Sequence, residues 1–216
     1  MSKALLATLQ LADSAFPSGA FAYSWGLERA VEEGRVDRAG FADWLALDML
    51  GRWAQFDRVV LAQAYAATDL RACDRQVDTL FWAETLRAQS AEAGQAFLAA
   101  GARFGDPVAM DLRDAALAGL AYGHLPVAQG GVFRSLGLPL PQALAAAAHS
   151  AAQGLASAGV RLGLVGAIEA QRILAGLHEA LAPAIRPPPE DAVPASFSPI
   201  SEIAMLKPAQ GRLFAN

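Results

Sequence analysis

The stretch ALAAAAHSAAQGLASAGV, residues 143–160, contains no charged side chain. It approaches the length of a membrane span, which is about 20 residues, but Ala, Gly, Ser and Gln dominate it and are only weakly hydrophobic. Ser150, Gly154 and Ala158 recur at every fourth position, a small-residue spacing that lets two helices cross closely. The stretch therefore predicts a buried helix at the centre of a helical bundle.

Helix-forming residues fill nearly every other segment before Pro183, and no segment alternates apolar and polar residues as strands do. A chain of 216 residues suits one sizeable domain. We therefore predict an all-α fold, with a single-domain helical bundle over 1–182 and a proline-rich linker and apolar C-terminal tail over 183–216. Besides the central helix, the predicted helices span about 4–12, 23–33, 37–67, 74–102, 110–122, 126–136 and 164–181.

Glycines and other small residues predict helix ends and close contacts. Gly34 is expected to end the second helix in a left-handed conformation, with Val36 closing the cap. Asp37 is expected to cap the start of the third helix. Ser90 and Gly94 share one face of the predicted helix over 74–102, where small side chains let a neighbouring backbone approach closely.

The composition is unusually apolar, with 54% hydrophobic and 18% charged residues. Much of the surface is therefore expected to be covered by another chain. A net charge of −4 and a pI near 5.4 argue against nucleic-acid binding. The single cysteine, Cys73, excludes an intrachain disulfide, and the N-terminal stretch does not resemble a secretory signal, so we predict a cytoplasmic protein.

Metal-binding and catalytic patterns are sparse. The three histidines, His124, His149 and His178, lie on different predicted elements, and with one cysteine they offer no spaced metal-ligand pair. We therefore predict no metal site, and His124, in a His-x-Pro turn, is expected to fix that turn instead of binding a metal ion. No phosphate-binding loop, dinucleotide fingerprint or nucleophile elbow is found, so no catalytic residue and no cofactor are predicted.

Two charged pairs are interpreted as solvated or helix-stabilising instead of catalytic. They are Asp57–Arg58 and Glu84–Arg87.

The segment DSAFPSGAFAYSWGLE, residues 13–28, interrupts the helical pattern. Gly19 and Gly26 allow sharp turns, and aromatic side chains between them would lie beside a helix start. Aromatic anchors of this kind dominate the binding energy of many protein interfaces, so we predict a contact with a partner or across a dimer. The alternative, that these rings only cap the bundle core, stays open. The candidate aromatic residues are Phe21, Tyr23 and Trp25.

The C-terminal part changes character. Seven of the twelve prolines lie from Pro183 onward, and RPPPEDAVPAS (186–196) predicts an extended linker. The residues beyond it are too apolar for a tail that stays in water, so we expect the tail to order against a partner. Its apolar residues are Phe197, Ile200, Ile203, Met205, Leu206, Leu213 and Phe214.

The segment 13–28 and several later segments together resemble the urease accessory protein UreF family. The later segments are RAQSAEAG (87–94), HLPVAQG (124–130), GVRLGLVGAIEAQRIL (159–174) and RLFAN (212–216). The resemblance extends over almost the whole chain and is most specific in 17–28. Departures from the usual residues of the family are Ala20, Ala22, Trp25 and Ala167.

The resemblance implies an all-α homodimer that takes part in delivering nickel to apo-urease, as a non-catalytic adaptor that bridges UreD (also called UreH) and the nickel-carrying GTPase UreG. Neither nucleic acid nor a membrane is an expected partner. Glu28 and Arg161 match charged positions near the GTPase-facing surface of the family. The tail residues expected to contact UreD are Ile200, Ile203, Arg212, Leu213 and Phe214.

Two other functions remain open at this point. In the first, the protein activates the GTPase UreG by inserting an arginine, with Arg161 as the candidate, beside the nucleotide. In the second, it is a membrane-associated helical module, which a mean hydropathy of +0.28 favours and the lack of any strongly apolar span opposes.

Overall fold

The computed structural model describes residues 2–13, 16–17, 23–195 and 198–205, without the side chains of residues 2–4 and 203–204. All regular secondary structure in these ranges is helical, which confirms the all-α fold class. The helices are α1 (Ser2–Ala12), α2 (Leu27–Glu32), α3 (Phe41–Leu47), a π-helical segment (Asp48–Asp57), α4 (Arg58–Ala66), α5 (Leu70–Asp78), α6 (Glu84–Arg103), α7 (Pro107–Leu117), α8 (Leu125–Ser135), α9 (Leu140–Arg161), α10 (Ala167–Leu181) and α11 (Pro199–Met205).

The central position predicted for residues 143–160 is confirmed. Helix α9 contains them and contacts α1, α2, α3, α4, α8, α10 and the π-helical segment. Its buried side chains are mostly alanine, so neighbouring helices approach its backbone closely. At Gly159 an added Cβ would overlap the ring of Phe41, which is fully buried and has no space to move.

The close backbone approach predicted for the face of Ser90 and Gly94 is also confirmed. An added Cβ at Gly94 would overlap the carbonyl oxygen of Gly123. Helix α8 meets α4 in a similar way, because an added Cβ at Gly130 would lie 2.6 Å from the carbonyl oxygen of Leu61. Small residues therefore set the spacing of helices on both sides of α8.

The predicted end of the second helix is confirmed, but its predicted start near Tyr23 is wrong. Gly34 is left-handed, with φ 68°, and the backbone N–H of Val36 donates to the carbonyl oxygen of Ala30. At the other end, Trp25 and Gly26 have φ of 51° and 90°, which an α-helix does not accommodate. Helix α2 therefore begins only at residue 27.

Asp37 does not cap a helix directly. Its side chain accepts a hydrogen bond of 2.9 Å from the backbone N–H of Gly40, and α3 begins one residue later. The predicted length of this helix is nearly correct, since α3, the π-helical segment and α4 follow one another without interruption from residue 41 to 66. The middle of this span, Asp48–Asp57, has the wider turns of a π-helix.

The single helix predicted over 74–102 is wrong, because α5 ends at Asp78 and α6 begins at Glu84. The N–H groups of Thr79 and Leu80 donate to carbonyl oxygens three residues earlier, which tightens the end of α5. The carboxylate of Asp78 is held from two other directions by Arg87 and His124. These long-range contacts turn the chain where no glycine or proline marks a break.

Two other helix starts differ from the prediction. Helix α7 begins at Pro107 instead of Met110, because the side chain of Asp106 accepts a backbone N–H of the first turn. Helix α10 begins at Ala167 instead of Leu164, because a left-handed glycine turn follows α9.

The proline-rich segment returns across the body of the bundle. The backbone N–H of Ala195 donates to the carbonyl oxygen of Gln55, and the side chain of Gln63 donates to the carbonyl oxygen of Ala192, both at 3.0 Å. Helix α11 then packs against α2 and α6. A division of the chain at residue 182 stays a prediction. Within the described ranges, no helix is long and apolar enough to cross a membrane.

Candidate partner-binding site

The C-terminal helix is attached to the body at a cluster that we call the α11 corner, formed by Trp25, Asp48, Arg52, Asp57, Ser198 and Ser201. Asp48 is fully buried at its centre. One carboxylate oxygen accepts hydrogen bonds from the hydroxyl groups of Ser198 and Ser201, at 3.1 and 3.0 Å. The other accepts a bond from Nε of Arg52 at 3.3 Å. The buried charge of Asp48 is thus compensated by three donors.

Arg52 is shared between two carboxylates. Its Nη1 atom donates to Oδ2 of Asp57 at 2.6 Å, in addition to the bond from Nε to Asp48. The guanidinium carbon lies 4.8 Å from the centroid of a ring of Trp25, within cation–π range. Burial lowers the pKa of Arg52, but Asp57 and Asp48 outweigh this effect, so the net pKa is raised and the side chain is charged.

The wide turns of the π-helical segment make this arrangement possible. In an α-helix, residue i+5 lies about 140° around the axis from residue i, so Arg52 and Asp57 would face different directions. The i to i+5 hydrogen-bond pattern of a π-helix brings residue i+5 to the next turn. Arg52 therefore reaches Asp48 on one side and Asp57 on the other along a single helix face.

Helix α11 is seated closely on the body. Gly26 has a left-handed conformation, and an added Cβ there would lie 2.7 Å from the carbonyl oxygen of Ser201. Met205 is buried, and its carbonyl oxygen accepts a hydrogen bond of 3.2 Å from the hydroxyl of Thr85 at the start of α6. The chain therefore leaves the described part of the fold beside the first turn of α6.

Tyr23 and Trp25 lie inside the fold, where the alternative interpretation of the sequence puts them. The hydroxyl of Tyr23 donates to a carboxylate oxygen of Glu92 at 2.6 Å, and the two rings lie 5.8 Å apart. Burial, followed by the negative charge of Glu92, raises the pKa of Tyr23 above its usual range. A contact of these two rings with a partner stays a prediction, and Phe21 lies outside the described residues.

The other residues predicted to contact a partner, two charged side chains and the tail residues, lie in different environments. Glu28 is 3% exposed, whereas Arg161 is exposed at the last position of α9. Ile200 is half-buried against the core. The side chain of Ile203 and all of Arg212, Leu213 and Phe214 lie outside the described residues.

A pocket, which we call the aromatic slot, opens next to the α11 corner. Its volume, including the open solvent at its mouth, is about 780 Å³. Its walls carry aromatic rings, and its charged lining residues are Arg52 and Asp57. The rings belong to Trp25, Trp53, Phe56, Phe81 and Trp82.

His124 fixes the turn before α8. Asp74 accepts hydrogen bonds of 2.5, 2.9 and 2.8 Å from the backbone N–H groups of Tyr122, Gly123 and His124. The Nε2 atom of His124 lies 3.1 Å from a carboxylate oxygen of Asp78. Burial lowers the pKa of His124 more than the two carboxylates raise it, so the ring is neutral at neutral pH and donates to Asp78.

Metal-ligating side chains do not cluster in the described part of the chain. No group of three or more His, Cys, Asp or Glu side chains there is placed to hold a metal ion. His149 and His178, although distant in sequence, line the same groove between α9 and α10. His124 lies elsewhere, among Asp74 and Asp78.

The sequence did not identify the buried charges of the α11 corner. Asp57 was interpreted as a solvated partner of Arg58, but its carboxylate is bound by Arg52. Burial raises the pKa of Asp57 more than Arg52 lowers it. The signal available in the sequence was the D-x₃-R-x₄-D spacing of Asp48, Arg52 and Asp57 within an apolar helix. The other pair, Glu84–Arg87, is an ion pair one turn apart on α6, as predicted.

Comparison with known proteins places the chain in a family. The family model UreF matches residues 36–178. The urease accessory protein UreF of Cereibacter sphaeroides (strain ATCC 17025) is 40% identical over 182 residues, which are 82% of this chain and 80% of that protein. The chain belongs to the UreF family of urease accessory proteins.

Other UreF proteins are similar over the same extent. UreF of Paenarthrobacter aurescens (strain TC1) is 34% identical over 182 residues, covering 83% of this chain and 82% of that protein. UreF of Rhizobium leguminosarum bv. viciae is 37% identical over 191 residues, covering 85% and 82%. The resemblance to the UreF family expected from the sequence is therefore confirmed. The matched span 36–178 includes the π-helical segment but neither α2 nor α11.

Proposed function

We propose that this protein is a non-catalytic accessory protein of urease maturation, which acts as an adaptor between UreD and the GTPase UreG during nickel insertion into apo-urease. Membership of the UreF family is the observation that carries the proposal. A cytoplasmic homodimer is part of the proposal.

In this proposal, UreG contacts the end of α9. Arg161 is exposed there, whereas Glu28 is buried, so a charge reversal at Glu28 would destabilise the fold and could not test binding. Arg161→Glu is expected to weaken retention of UreG by at least tenfold in a pull-down with purified proteins. Arg103→Glu, at the exposed end of α6, is the matched control and should retain UreG normally. Equal retention by both variants would remove Arg161 from the contact.

In this proposal, UreD contacts the last eleven residues, 206–216. A truncation after Pro189 is unsuitable, because it also removes Ser198 and Ser201, which donate to Asp48. The full-length double variant Leu213→Asp and Phe214→Asp keeps those bonds. It is expected to abolish association with UreD in size-exclusion chromatography, because the burial of two apolar side chains is lost. Ala215→Asp is the control, and unchanged association of the double variant would refute the tail contact.

Activation of UreG is a second candidate function, favoured by the position of Arg161. Its side chain belongs to the last residue of α9 and precedes a left-handed turn, so it lies at a helix end from which an arginine can reach a bound nucleotide. Burial lowers the pKa of Arg161, but an arginine stays charged at neutral pH. GTP turnover by UreG separates the functions: activation predicts a rate increase of about 10³-fold that Arg161→Ala removes, whereas an adaptor leaves the rate unchanged.

A further inference from the structure

The aromatic slot is lined by aromatic side chains, two charged side chains and a buried serine. Five aromatic rings form its walls, and Trp82 stands at its rim with 54% of its surface exposed. Leu80, also exposed, lies beside it on the loop between α5 and α6. Aromatic walls favour a planar group that can stack on a ring face.

The charges at the slot do not balance. Asp48 and Asp57 share the single guanidinium group of Arg52, so two carboxyl groups of the α11 corner have one cation between them. Only one oxygen of Asp57, Oδ2, is bound by Arg52. Burial raises the pKa of Asp57 more than Arg52 lowers it, so a nearby second cation would favour the charged form of this carboxyl group. A second cation in the slot would therefore be stabilised by Asp57.

A buried hydroxyl also faces the slot without a partner. Ser90 lines the pocket and is 3% exposed, and its Oγ atom has no hydrogen-bonding partner among the described residues. A buried polar group in this state lacks the stabilisation of a hydrogen bond. An occupant with N–H donors would supply the missing bond, whereas a purely apolar occupant would leave Ser90 Oγ without a partner and add no bond to Asp57.

We propose that the aromatic slot binds an arginine side chain of a partner protein, with the guanidinium group stacked on the tryptophan rings and bonded to Asp57 and Ser90. The planar guanidinium suits the slot better than the ammonium group of lysine, because it stacks on aromatic faces and carries donors in a fixed plane. Arg52 against Trp25 shows the same pairing within the chain. The inference rests on the proposed adaptor function, in which the slot is one contact with a partner.

The test uses two tripeptides of nearly the same shape, acetyl-Ala-Arg-Ala-amide and its citrulline twin, in which a carbonyl oxygen replaces one NH₂ group of the guanidinium and removes the positive charge. Indole N–H signals of the full-length chain report binding by NMR. The signals of Trp25, Trp53 and Trp82 are expected to shift when the arginine peptide is added. The signal of Trp44, which is buried and does not line the slot, should not shift. The citrulline peptide should bind at least tenfold more weakly. Equal binding of the two peptides would overturn the proposal.

Variants assign the binding to the slot. Asp57→Asn should remove the preference for arginine over citrulline, whereas the control Asp43→Asn, on the exposed face of α3, should preserve it. Trp82→Ala, at a position with 54% of its surface exposed, should weaken binding of the arginine peptide severalfold. This second variant keeps the test decisive if Asp57→Asn does not fold. An unchanged preference in Asp57→Asn or unchanged affinity in Trp82→Ala would refute the site.

The chain's own C-terminal tail is the competing occupant of the aromatic slot. If Arg212→Gln alone shifts the three indole signals in the absence of peptide, Arg212 occupies the slot and the proposal is overturned. Peptide binding does not depend on UreD or UreG. A chain that prefers the arginine peptide but binds neither protein would refute the proposed function and leave the slot intact, and the reverse result would refute only the slot.

Discussion

Helix α9 and the α11 corner are attached to the rest of the molecule by different chemistry. Helix α9 buries alanine, glycine and leucine side chains against neighbours on several sides, and Gly159 meets a phenylalanine ring at contact distance. At the α11 corner, the carboxylate of Asp48, the guanidinium of Arg52 and two hydroxyl groups are buried instead, beside the half-buried Asp57. Apolar contacts are non-directional, so α9 is held over its whole length. The corner depends on a few directed bonds, each of which has a large individual effect.

The largest effect is expected from Asp48→Ala. The substitution removes the acceptor of both serine hydroxyl groups and leaves Arg52 with one carboxylate in a buried position. Breaking a buried ion pair from one side costs about 3 kcal/mol, measured as the free energy of unfolding in urea. Asp43→Ala, on the exposed face of α3, should change it by less than about 0.5 kcal/mol. Similar values for both variants would show that the corner contributes little.

The packing of α9 is tested by Gly159→Ala, for which we expect a loss of about 2 kcal/mol because the new Cβ overlaps the buried ring of Phe41. Gly176→Ala on α10 is the matched control. Nothing lies within 4 Å of its added Cβ, so alanine should stabilise the helix by about 0.5 to 1 kcal/mol. The opposite signs of the two changes distinguish packing from helix propensity. A stabilised Gly159→Ala variant would contradict close packing at α9.

A pH titration tests a second cluster of buried polar groups, around His124, for comparison with the α11 corner. Because burial lowers the pKa of His124, the unfolded chain binds this proton more tightly, and stability should fall as the pH drops below about 6.5, by at most about 1.4 kcal/mol per pH unit. Urea midpoints between pH 7.5 and 5.5 measure this slope. His124→Gln should flatten it, although Asp74, Asp78 and Arg87 remain. An equal slope in the variant would assign the pH dependence to other groups.

The smallest effect is expected from Ser201→Ala, which removes one of two hydroxyl donors to Asp48. The global free energy of unfolding should fall by about 0.5 to 1 kcal/mol. Hydrogen exchange of α11 should accelerate more than that of α9, because α11 is a short helix held by few bonds. Ser135→Ala, at the exposed end of α8, should change neither quantity. Uniform acceleration in all helices would show that α11 does not open separately.

Most of the fold could be predicted from local patterns. Small residues at every fourth position and an uncharged run predicted the position of α9, and a single glycine predicted the end of α2. Helix starts at Leu27 and Glu84 were missed because left-handed backbone at Trp25 and long-range bonds to Asp78 override helix propensity. The site was less predictable. Adjacent charges at 57 and 58 suggested a pair, but successive side chains on a helix point about 100° apart.

The sequence by itself determined an all-helical chain of the UreF family, with a central helix of small residues and a proline-rich segment before the C-terminal tail. Helix propensity, small-residue spacing and proline geometry act between near neighbours, so they are readable along the chain. The tertiary structure alone decided that Asp48 binds a serine 150 positions away, that Arg52 joins two carboxylates, and that three tryptophans meet at one slot. These pairings depend on how the helices pack, because a buried polar or charged group is stable only where packing brings a bonding partner within reach.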